Sequence, residues 1–137
     1  MAQTFTELGR IEAVRQLFEG TGFRPFEEPL RFEAKLQECI TTATALMLEG
    51  IDFNLVYFPL KHLGRKAVLR ATGELYAVLA HPETLSVQLG VSAKLDFTQI
   101  RELWSGIAVA AQEHGYKHLS LDLQPSRNGL TLALSAT

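Results

Sequence analysis

One cysteine, Cys39, sets the first limit on this 137-residue chain. A lone thiol excludes an intramolecular disulfide framework and a cysteine zinc knuckle, and it fits a reducing compartment. Cys39 shares the polar side of a strand with Lys35 and Gln37, which makes it an inert thiol rather than a reactive one. Lysine and arginine never gather into a run, and a net charge of -2 leaves no basic footprint for nucleic acid. No apolar stretch approaches the ~20 residues that a membrane span needs. The first residues, MAQTFTELGR, are polar and acidic where a signal peptide is basic and then apolar. A Gly-rich phosphate loop, a G-x-S-x-G elbow, a Walker motif and paired carboxylates are all missing. These gaps predict a cytoplasmic protein with neither nucleic acid nor membrane as partner.

What is present is globular. Hydrophobic residues make up 47% and charged residues 20%, a balance that argues against disorder, and the length suits one domain. Thr4-Phe5-Thr6-Glu7 has the S/T-x-x-E form of a capping box. It precedes a stripe of Leu8, Ile11, Ala13 or Val14, Leu17 and Phe18, which predicts a helix near Thr6–Glu19, ended by Gly20 and Gly22. From Leu30 to Gln37 apolar and polar residues alternate strictly, as in a half-buried strand. Thr42–Glu49 is apolar or small on both sides and reads as a strand buried on both faces.

Pro59 then opens a helix, where its missing N–H costs nothing. Its stripe is Leu60, Leu63, Ala67, Ala71, Leu75 and Val78, and His81-Pro82 stops it. Gly64 and Gly73 interrupt that helix, each at a cost of up to ~1 kcal/mol relative to alanine, which a close approach by another element would explain. Leu85, Val87, Leu89 and Val91 alternate with small and polar residues in a strand. Asp96 and Gln99 cap a helix with the stripe Phe97, Ile100, Leu103, Trp104, Ile107, Ala108 and Ala111, closed by Gly115. Two strands around Leu119–Leu123 and Leu130–Leu134 end the chain, joined by a loop whose Asn128-Gly129 pair signals a hairpin.

This order predicts an α+β fold: a mixed, largely antiparallel sheet of four to five strands, two main helices on one face and an N-terminal helix. A helix and loop over 1–29 and an αβ core over 30–137 form one domain. Helices can cover only one face of so small a sheet. The other face, with Thr44 or Ala45, Ser86, Gln88, Ser120, Asp122, Thr131 and Ala133, meets either water or a second copy.

Between Glu49 and Ser92 the chain carries LEGIDF (opening at Leu48), PLKHLGRKAV, ELYA and HPETLSVQLGVS. In order and spacing these resemble the VEGxHF strand end, PxxxGxKA, SDIYAM helix and TPxxxxVSLGLS strand of the amino-terminal domain of thiamine-monophosphate kinases. That domain belongs to the AIR-synthase-like, or PurM-like, group. The resemblance implies a domain of that type, without the family's carboxy-terminal domain, which pairs sheet to sheet into a barrel-like dimer core.

The resemblance also implies where a nucleotide-bound magnesium would sit, since Mg²⁺ takes hard oxygen ligands and phosphoryl transfer needs its charge neutralised. The family's Gly-Asp-Asp has no counterpart in Glu27–Leu36, and its second aspartate aligns with Ala45. The third becomes Glu74, after Gly73 instead of serine. The fourth survives as Asp122, but Ser120 and Leu121 replace the glycines that let a phosphate approach. Asp52, where the family often has histidine, is the substrate-side candidate. Lys61 and His62 keep the family's place as parts of the scaffold.

His114 and His118 flank a turn and lack a third metal ligand. No catalytic residue and no cofactor is therefore expected, apart from a vestigial Mg–ATP site at Glu74 and Asp122. The reading is a non-catalytic, homodimeric scaffold, regulator or partner-binding domain. Its competitors are a binder of thiamine phosphate or nucleotide without turnover, and one half of a split kinase.

Overall fold

A computed structural model describes residues 9–25, 39–54, 59–127 and 129–137. The expected capping box at Thr4–Glu7 and the expected strand at Leu30–Gln37 lie outside them. Helix α1 runs Arg10–Phe18, later than its stripe predicts, with Gly9 at its N-cap at φ 86° and no side-chain cap. It buries Ala13, Leu17 and Phe18 but leaves Ile11 88% exposed. Ile11 stands about 200° round the helix from Ala13, so the two cannot share a face.

Among the described residues four strands make one sheet: β1 (Ala43–Leu48), β2 (Thr84–Ser92), β3 (His118–Ser126) and β4 (Thr131–Ala136), in the order β1-β4-β2-β3. β4 is antiparallel to both β1 and β2, and β2 is parallel to β3. The sheet is mixed and mostly antiparallel, as expected. β3 and β4 do not form the expected hairpin, because β2 lies between them. A tight turn joins only adjacent strands, whereas this loop must span two strand spacings, about 10 Å. Gly90 of β2 lies between the two strand ends, where a Cβ would lie 3.3 Å from Cβ of Ser126 and 3.6 Å from Cβ of Thr131.

β1 buries Ala43, Ala45 and Met47 but exposes Thr44 and Leu46, so it is not buried on both faces as expected. An unbroken apolar run cannot say how many faces are covered. Here the two long helices, α2 (Leu60–Ala77) and α3 (Phe97–Glu113), lie on one face only.

Helix α2 buries Leu63, Ala67, Val68, Ala71 and Leu75. The expected last member of its stripe, Val78, is 61% exposed, because the helix ends before it. The end is a Schellman motif: Ala80 N–H donates to Leu75 O and Leu79 N–H to Tyr76 O, with Leu79 left-handed at φ 62°. His81-Pro82 thus follows the stop and does not make it.

Helix α3 matches its sequence signals. Asp96 Oδ1 accepts from Gln99 N–H and Gln99 Oε1 from Asp96 N–H. Every residue of the expected stripe is buried. Gly115, at φ 77°, closes the helix while Tyr116 N–H donates to Ala111 O. The helices meet at Gly64 and Gly106: a Cβ on Gly64 would lie 2.4 Å from the Leu103 carbonyl oxygen. Gly73, by contrast, has nothing within 4 Å and serves no close approach.

Candidate functional site

The sheet face opposite the two long helices carries the alternate residues of the four described strands. Strand alternation sends Ala45, Met47, Val87, Leu89, Leu119, Leu123, Leu132 and Leu134 into the core. The alternate residues line up across the strands by register. One row reads Thr44, Ser135, Ser86 and Ser120; the next reads Leu46, Ala133, Gln88 and Asp122. None of the four strands contains lysine or arginine, and Asp122 is their one carboxylate. Leu46 is 53% exposed in the middle of β1. A sheet face built to stay wet carries alternating charged residues, and edges are protected by lysine. Among the described residues this face carries a single charged pair, Asp122 with Arg10, and no lysine from its strands.

Asp122 stands at the β3 end of that face, exposed and ion-paired. Its Oδ1 accepts from Arg10 Nη2 at 2.6 Å, and Gln124 Nε2 lies 3.5 Å away. The only carboxylate of the sheet is thus neutralised by the start of α1. Glu74 is on the exposed side of α2, in the helix layer, so the sheet separates it from Asp122. The structure does not bring these two family positions together. No group of three or more histidine, cysteine, aspartate or glutamate side chains among the described residues could hold a metal ion. Among the described residues the donor set does not fit a magnesium-bridged phosphate.

Asp52 has both carboxylate oxygens engaged. Oδ2 accepts from the Leu48 N–H at 2.8 Å, and Oδ1 pairs with Arg70 Nη1 at 3.4 Å. Arg70 also donates to the Leu46 carbonyl at 3.1 Å. Asp52 therefore ties the turn after β1 to helix α2. His114 Nδ1 is bonded to the Tyr76 hydroxyl at 3.0 Å, which turns it toward α2. Lys61, His62 and Cys39 are exposed.

Two further polar links were not expected from the sequence. The Thr72 Oγ1 and Tyr116 hydroxyl lie 2.7 Å apart in the core, and burial pushes the Tyr116 phenol above its usual pKa against the opposing Thr72 bond. On α1, hydrogen bonding to Arg15, then to Gln16, lowers the Glu12 carboxyl from 4.5 to about 2. The i,i+3 spacing of Glu12 and Arg15 was there to read. Thr72 and Tyr116, 44 positions apart, gave no local signal.

No protein-family model and no curated protein matches the sequence. Solved structures do match. Thiamine monophosphate kinase from Aquifex aeolicus superposes with a TM-score of 0.61 at 18% identity, over 69% of this chain and 32% of that one. The hydrogenase maturation protein HypE of E. coli superposes at 0.69 and 17% identity, over 93% and 42%. A HypE solved in complex with ATP gives 0.64 and 19%, over 93% and 39%. The chain spans about a third to two fifths of the length of these proteins. At such identities the likeness is one of fold, and it is the fold that the sequence resemblance implied. The chain has the PurM-like fold shared by thiamine-monophosphate kinase and HypE.

Proposed function

We propose that the chain is a non-catalytic domain of the PurM-like fold that works as a homodimer, its open sheet face forming the seam, and serves as a scaffold, regulator or partner-binding module. One observation carries the dimer: across the four described strands the open face is made of small, apolar and uncharged polar side chains apart from Asp122, and the strands hold no lysine or arginine. A two-fold interface sets each patch against its own copy, so like charges there would repel. The one acid is already paired to Arg10. The absence of catalysis rests on the donor set, since Ala45 supplies no ligand and Asp122 and Glu74 lie on opposite sides of the sheet.

Substituting Ala133, in the row between Leu46 and Gln88, by lysine tests the seam. The lysine side chain can stay solvated in a monomer, so the fold survives while the dimer is lost. A variant that keeps the wild-type mass counts against the reading.

A second reading has the ATP complex of HypE behind it: nucleotide or thiamine phosphate binding without turnover. Isothermal titration with thiamine monophosphate, and with magnesium and a non-hydrolysable ATP analogue, decides it. Saturable heat supports a surviving pocket, and none from either ligand removes this reading.

A further inference from the structure

Helix α1 breaks two local rules at its first turn. Its N-cap is Gly9, which offers no side-chain oxygen to the free N–H groups, and its first residue is Arg10. The start of a helix carries partial positive charge, so a cation is disfavoured there and an aspartate or serine would serve α1 better. Arg10 is not placed for the sake of its own helix.

It serves the open sheet face instead. α1 packs against α3 and against β3, an edge strand of the described sheet. From that edge Arg10 Nη2 donates to Asp122 Oδ1 at 2.6 Å. In a single chain both side chains are half exposed, at 54% and 52%. An ion pair so wetted adds little to the stability of a monomer.

Covering the face changes what the pair is worth. Asp122 lies in the row with Leu46, Ala133 and Gln88, none of which is charged. A second copy laid on this face brings the same row and a second Asp122, with no lysine or arginine from its strands. A carboxylate taken out of water needs a paired charge. Arg10, from a helix outside the sheet, supplies it.

We propose that Arg10 makes dimerisation depend on α1. With α1 docked on β3, Arg10 neutralises Asp122 and two faces can close on one another. Without Arg10, two bare carboxylates per dimer oppose closure. This inference rests on the homodimer reading and adds to it a control element that lies outside the sheet.

Sedimentation equilibrium over a concentration series gives the dimer Kd of four chains: wild type, Arg10→Gln, Asp122→Asn and the double variant. Arg10→Gln is expected to raise Kd at least about tenfold while keeping the wild-type circular dichroism. Asp122→Asn needs no cation and should dimerise at least as tightly as the wild type. The double variant should return to within about threefold of Asp122→Asn, a rescue that simple damage to α1 packing would not give. The proposal is overturned if Arg10→Gln keeps the wild-type Kd, or if the double variant stays as weak as Arg10→Gln. Either result leaves the dimer itself standing. A wild-type mass of one chain at every concentration removes the homodimer reading, and this inference with it.

Discussion

Gly106 and Lys61 touch across the helix layer: a Cβ built on Gly106 would stand 2.1 Å from the Lys61 carbonyl oxygen. That oxygen belongs to the backbone of α2 and has no rotamer by which to escape. With Gly64 against Leu103, it sets the spacing of α2 and α3, and thereby the way both lie on the sheet. Gly106→Ala is expected to force the helices apart and cost about 1–3 kcal/mol, more than the ~1 kcal/mol that alanine returns as helix propensity. Gly73→Ala meets nothing within 4 Å and should stabilise by up to about 1 kcal/mol. Urea unfolding of the two variants checks the opposite signs.

Leu79 is 90% exposed and left-handed, at the position where Gly115 serves in α3. A left-handed residue with a Cβ costs about 1–2 kcal/mol, of which glycine gives back part through its freer unfolded chain. Leu79→Gly should therefore raise stability by roughly 0.5–1 kcal/mol. A lowered urea midpoint would show that Leu79 makes a contact that its exposure hides.

Tyr116 and Thr72 predict an alkaline limit. The folded state holds the Tyr116 proton more tightly than the unfolded chain, whose phenol titrates near 10. Stability from this group is complete below about pH 10 and falls as pH rises from there toward the raised folded value. Tyr116→Phe should cost about 1–3 kcal/mol at neutral pH, because it orphans the buried Thr72 hydroxyl. Part of the loss above pH 10 should vanish with it, which unfolding curves across that range measure.

Glu12 predicts the acid side. Its carboxyl titrates at about 2 in the folded state against 4.5 as its reference, so its contribution is whole above 4.5 and is lost as pH falls from 4.5 to about 2. Amide exchange in α1 should speed up over that window in the wild type and show less change in Glu12→Gln. Since the pair is exposed, added salt should shrink the difference.

Much of the fold was legible because its signals are local. Asp96 and Gln99 sit three residues apart and cap α3; Gly115 follows its last turn. The stripe of α2 was clear up to Leu75, but Val78 shares the helical spacing while lying beyond the stop, which Leu79 makes in a conformation that leucine seldom adopts. Strand pairing was less legible. Asn128-Gly129 favours a hairpin locally, yet β4 gains more by pairing with β1 and β2 together, a choice made between residues far apart in the chain. The open face could be read from alternation, including Asp122. Its partner Arg10, 112 positions away, could not. Asp52 is named from the resemblance alone, and the amide and arginine that its two oxygens meet, at Leu48 and Arg70, are connected by no spacing rule.

The mass of the protein in solution decides between a dimer joined at the open face and a monomer. Sedimentation equilibrium at micromolar concentration should give the mass of two 15.2 kDa chains for the wild type and of one for Ala133→Lys. A wild-type mass of one 15.2 kDa chain would contradict the account, and the open face would then belong to water or to a different partner.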